Sequence, residues 1–172
     1  MRAGYLKFGT LREIAVRQIV AGNKAAAART LQRAMDVSDE DEQFRVMRMA
    51  DIAWEQIRME DRIGAEETIA KGLRKNEGQG RGSDQVNGWM ILAEDLAYMG
   101  EHEWALGVAN KIKYADIRAR ALQLVAYHET GAGHGDWAIS WAKGIDDPEG
   151  RARTFLGIAA GLIEQITACE LC

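Results

Sequence analysis

Proline is almost missing from this chain, with one residue, Pro148, among 172. A backbone that so seldom interrupts its own hydrogen-bond ladder, and that is rich in Ala, Met, Glu, Gln and Arg, is predicted to be helical. Cysteine is equally scarce. The two present, Cys169 and Cys172, both fall at the end of the chain, so no disulfide scaffold is expected. No uninterrupted 18-residue apolar run occurs, which excludes an ordinary transmembrane helix. The opening MRAGYLKFGT lacks the apolar centre of a secretory signal, and the expectation is a soluble, cytoplasmic chain. Excess positive charge is absent too: 22 basic against 26 acidic residues give a net charge of −4 and a pI near 5.5. That balance argues against a general nucleic-acid binder.

What is present is apolar side chain, 47% of the residues, enough to bury a real interior in one domain spanning 1–172. The charge is uneven. Residues 1–36 carry seven basic and two acidic side chains, while residues 76–172 carry eight basic and fourteen acidic.

Laying the chain over itself exposes a repeat. Trp89–Asn110 matches Leu122–Lys143, with Leu92-Ala93, Gly100 and Ala105 answered by Val125-Ala126, Gly133 and Ala138, each 33 residues on. The same shift carries Leu122 and Val125-Ala126 onto Phe155 and Ile158-Ala159. Two earlier copies keep the pattern: Leu11, Ile14-Ala15, Gly22 and Ala27, then Met49, Ile52-Ala53 and Ala65, with Glu60 where the glycine would fall. The landmarks Ile14, Ile52, Leu92, Val125 and Ile158 stand 38, 40, 33 and 33 residues apart, the longer intervals taking up polar insertions at 37–43 and 76–85.

Within each copy the apolar positions recur every three or four residues, the period of a helix buried on one side. A glycine between the halves suits a tight turn, because it takes positive φ without a Cβ penalty. Helices are predicted near 10–21 and 24–36, 44–59 and 62–75, 86–99 and 102–112, 118–130 and 136–144, and 151–166, with Asp146, Asp147 and Pro148 breaking the chain before the last. The fold class is therefore all-α: an α/α solenoid of about four antiparallel hairpins plus a C-terminal helix. Its clearest units are 86–117 and 118–150, with 151–166 as the terminal helix. One hairpin cannot bury its apolar face alone, and stacking makes the core continuous.

These landmarks resemble the tetratricopeptide repeat family. Trp89 stands where that family often has its tryptophan, Ala93 and Ala105 match the small crossing residues, and Ile112 matches the apolar end of the second helix. Leu122, Ala126, Ala138 and Ile145 repeat the set. The departures are the 33-residue interval, the near absence of boundary prolines, and Gln18, Gln56, Leu96, Glu129 and Leu162 in place of the usual first-helix aromatic. The resemblance implies a concave face lined by first helices that receives a protein or peptide. Carried onto this chain, it nominates Arg12, Trp54, Arg58, Glu94, Tyr98, Arg120, Gln123, Tyr127 and Arg153 as partner-binding residues, a mixture of aromatics and arginines suited to an interface.

Motifs with chemistry are few. Cys169-Glu-Leu-Cys172 has the spacing of a redox pair or half a four-thiolate metal site, but it follows a helix C-terminus, which disfavours a thiolate, and supplies only two ligands. A set of His128, His134 and Asp136 matches no recognised metal spacing, and GHGD reads as a turn with an Asp cap. His102 reads as the start of a solvent-facing helix. Segment GQGRG at 78–82 lacks the lysine and preceding strand of a phosphate loop. No residue set defines a reaction, so no catalytic residue, cofactor or metal is assigned. The functional expectation is a protein-binding adaptor or assembly module, whose apolar terminal helix TFLGIAAGLIEQI either caps the array with one face partly exposed or is covered by another copy through the C-terminal edge. The alternative is a small accessory protein using the C-terminal dithiol for metal binding or redox exchange.

Overall fold

The apolar and alanine landmarks of the repeat register fall on helices, and its glycines and Glu60 in the turns between them, in the computed structural model, which describes residues 2–40, 44–75 and 85–170 and, among them, the side chains of 6–40, 44–74 and 88–167. The helices are α1 (Arg2–Val20), α2 (Lys24–Asp39), α3 (Arg45–Arg58), α4 (Arg62–Lys75), α5 (Gln85–Tyr98), α6 (His102–Lys111), α7 (Ala115–Gly131), α8 (Gly135–Lys143) and α9 (Pro148–Glu170). No strand occurs among the described residues. None of their helices is long and apolar enough to cross a membrane. Residues 76–84, all but the last of the 76–85 insertion and including GQGRG, lie outside the described residues, as do 41–43.

Four turns share one backbone design. Gly22, Gly100 and Gly133 take φ of 73°, 79° and 95°, and Glu60 takes 66° at the equivalent place. The amide of each donates to the carbonyl three residues back, and the next amide reaches five back: Asn23 to Gln18, Asp61 to Gln56, Glu101 to Leu96 and His134 to Glu129, at 2.8–2.9 Å. This is the Schellman arrangement, which satisfies two carbonyls that a helix end would leave bare. The same residues then start the next helix, their carbonyls accepting from Ala27, Ala65, Ala105 and Ala138. Asn23 and Asp61 add a side-chain cap, accepting from the amides of Ala26 and Gly64.

Small residues let the paired helices close. Ala15, Ala53, Ala93 and Ala126 in the first helices and Ala27, Ala65, Ala105 and Ala138 in the second have no exposed surface. Leu11, Met49, Trp89 and Leu122 are buried beside them, as are Ile52, Leu92, Val125 and Ile158. Ile14 and Phe155 depart from the register by being exposed, at 41% and 38%; they lie on the first and last helices of the chain, α1 and α9.

The chain, read from its sequence as one domain, divides into two compact units, residues 1–88 and 89–172. In the first, α1 pairs with α2 and α3 with α4, while α3 also packs on α2 and α1. In the second, α7 packs on α6, α8 and most extensively α9. That last contact rests on glycine. A Cβ on Gly157 would lie 2.1 Å from the Gln123 carbonyl oxygen, and one on Gly161 would lie 2.5 Å from that of Tyr127, so α9 approaches the α7 backbone more closely than any side chain permits. Asp147 caps α9 through the Gly150 amide at 2.7 Å, and Pro148 opens it, as predicted for this break.

Candidate functional sites: a groove in unit 1 and a histidine–glutamate cluster in unit 2

In unit 1, Phe8, Arg12 and Val16 recur every fourth residue on α1, and Met47, Asp51, Trp54 and Arg58 recur on α3, so each set lies on one helical stripe. The two stripes face one cavity of about 440 Å³, which gathers three nominated residues, Arg12, Trp54 and Arg58. Between the arginines sits Glu55, whose side chain is 1% exposed. Its Oε1 accepts from Arg12 at 3.3 Å and its Oε2 from Arg58 at 3.1 Å, and Arg12 also reaches Asp51 at 3.6 Å. The buried carboxylate therefore fixes both guanidinium heads on the rim, where their side chains stay 37% and 35% exposed. Arg48, buried below, lies over the rings of Phe8 and Phe44 at 5.3 and 5.7 Å.

The remaining nominated residues belong to unit 2. Glu94, Tyr98 and Tyr127 collect around His128: Glu94 Oε1 is 3.6 Å from Nε2, and the rings of Tyr98 and Tyr127 meet the imidazole edge-on at 5.7 and 4.9 Å. The Tyr127 hydroxyl bonds to Glu164 on α9, and this carboxylate raises the phenol pKa above its ordinary 10.0. Gln123 is half-buried, Arg120 is exposed, and Arg153 pairs with Glu149 of its own helix at 3.1 Å. The Cys169 side chain and Cys172 lie outside the described residues, so the dithiol has no geometry here.

A second site lies where no binding residue was nominated. Glu129, near the end of α7, is fully buried. Its Oε2 lies 2.5 Å from His102 Nδ1, at the start of α6, and 3.3 Å from His134 Nδ1, in the turn before α8. The three ligand-type atoms all fall within 4.8 Å of one another. Neither Glu129 oxygen accepts a hydrogen bond, and His102 Nδ1 makes none. The imidazoles meet edge to face with centroids 4.4 Å apart, and Trp137 flanks His102 at 5.8 Å. The histidine side chains are 32% and 46% exposed, so the carboxylate forms the floor and the imidazoles the solvent side.

This arrangement corrects two sequence expectations. His102 does not merely begin a solvent-facing helix, because its ring nitrogen is held against a buried carboxylate. His134 groups with His102 and Glu129, while His128 turns to Glu94; Asp136 is neither ligand nor cap, since His134 occupies the N-cap of α8. The overlooked signal was register. Glu129 holds the slot of Gln18, Gln56 and Leu96, half-buried in the first two hairpins and fully buried here, where an acid needs a positive partner.

No family model, curated protein or solved structure matches the chain.

Proposed function

We propose that the chain is a helical-hairpin module, tetratricopeptide-like in plan, that binds a protein segment in the α1–α3 groove of unit 1. The observation that carries this reading is the shared cavity of Arg12, Trp54 and Arg58. Phe8, Met47 and Trp54 offer apolar wall. Arg12 and Arg58, pre-oriented by Glu55, offer further N–H donors to backbone carbonyls or to a carboxylate on the incoming segment, with little ordering cost. An adaptor or assembly role, in the cytoplasm, is the setting this reading implies.

The test is selection from a displayed peptide library, followed by titration of the best binder. Trp54→Ala and Arg58→Ala are expected to weaken binding while leaving the far-UV circular dichroism unchanged, and Arg153→Ala to leave it intact. A library that yields no binder above background, or a binder indifferent to both groove substitutions, removes the proposal.

Self-association through α9 is a second reading, favoured by Leu156, Ile163 and Ile166, which are 61%, 63% and 59% exposed on the side turned away from α7. Sedimentation across a concentration series tests it, a strict monomer at high micromolar protein being the contrary result.

A further inference from the structure

We propose that His102, Glu129 and His134 form a binding site for a single divalent transition-metal ion of the zinc class, pinning the start of α6 to the turn between α7 and α8. Two imidazole nitrogens and one carboxylate oxygen are a ligand set zinc takes when a fourth position is left to water. Metal–ligand bonds of 2.0–2.1 Å at tetrahedral angles place neighbouring ligand atoms about 3.3 Å apart. Glu129 and His134 already stand at 3.3 Å, Glu129 and His102 stand closer at 2.5 Å, and the three ligand atoms lie within 4.8 Å of one another, so binding requires both partly exposed rings to adjust.

The second observation is the state of Glu129. A carboxylate with no exposed surface and no hydrogen bond to either oxygen carries a large desolvation cost unless a cation faces it. Both nearby imidazoles present the same nitrogen, Nδ1, to Glu129 Oε2, and the His102 contact makes no aligned hydrogen bond. Coordination through Nδ1 leaves each Nε2–H directed elsewhere, the usual division of labour in a ligating histidine.

The site is also built by the fold. The His134 amide donates to the Glu129 carbonyl at 2.8 Å, so the Schellman turn fixes these two ligands relative to each other. His102 follows the preceding hairpin's turn by the same rule, one residue past Glu101. A bound ion would thus link two successive hairpin turns, and its open side faces solvent, where ions enter and a water or partner side chain completes the shell.

The experiment uses the full chain with Cys169→Ser and Cys172→Ser, stripped of metal, titrated calorimetrically with zinc and followed in the visible with cobalt(II). One equivalent of zinc is expected to bind, cobalt to give the intense bands of a tetrahedral or five-coordinate centre, and zinc to raise the melting temperature. His102→Ala and His134→Ala, both at partly exposed positions, are each expected to weaken zinc binding by more than about tenfold and to abolish the thermal shift. Glu129→Gln does the same, whereas His128→Ala and Asp136→Asn leave binding unchanged. Failure to bind an equivalent of zinc at micromolar concentration overturns the proposal. So does binding that survives both histidine substitutions, which would place the ion elsewhere.

Discussion

At the scale of the residue, the slot two positions before the end of each hairpin's first helix shows how one backbone frame accepts different chemistry. In the first two hairpins the slot holds Gln18 and Gln56, which accept from Thr30 and Thr68 at 2.8 Å across the hairpin. In the third it holds Leu96 opposite Val108, both buried, and in the fourth Glu129, with Trp141 at the corresponding partner position. The turn residue itself makes a prediction. Glu60 alone of the four carries a Cβ into the left-handed region, so Glu60→Gly is expected to raise the denaturation midpoint even though it gives up the exposed Lys24 ion pair. Gly100→Ala, the reverse change, is expected to cost about 1–2 kcal/mol in chemical denaturation. A second prediction concerns Tyr127. Because Glu164 raises its pKa, the bond contributes below the ordinary tyrosine value of 10.0 and is lost as pH climbs through the higher folded value. Glu164→Gln should return the phenolate absorbance transition toward the ordinary range.

At the scale of the element, helices were readable because three signals agree: apolar period, small crossing residues and a turn residue able to take positive φ. Glu60 could be placed in register without a glycine since its neighbours Ile52, Ala53 and Ala65 kept their spacing. The glycines of α9 were harder to interpret. Gly157 and Gly161 look like helix weakeners in an apolar run, and only the approach of the α7 backbone explains them. Gly157→Ala is therefore expected to force α9 off α7 and cost about 1–3 kcal/mol as an overpacked contact, read by urea unfolding. Gly107→Ala in α6 meets nothing within 4 Å and should be neutral or stabilising. The metal-type cluster was illegible for a related reason. Its ligands sit at spacings of 27 and five residues, and only the stacking of two turns makes them neighbours.

At the scale of the whole molecule, the chain divides into two compact units, and each holds one candidate site: the groove in residues 1–88, the cluster in 89–172. Unit 2 begins within α5, whose Trp89, Leu92, Ala93, Leu96 and Ala97 are buried. A fragment of residues 85–172 is accordingly expected to unfold cooperatively by circular dichroism, whereas a fragment of 100–172, deprived of those side chains, should lose cooperativity or aggregate.

The recurring turn carries one further consequence. Because Gln56 and Asp61 hold the places of Glu129 and His134, and Lys24 that of His102, the triple change Lys24→His, Gln56→Glu and Asp61→His should transplant the cluster into the first two hairpins. Lys24 already touches the neighbouring turn, 2.9 Å from Glu60. Zinc binding by that variant would make the hairpin joint an interchangeable socket, able to gain or shed an ion without redrawing the scaffold around it.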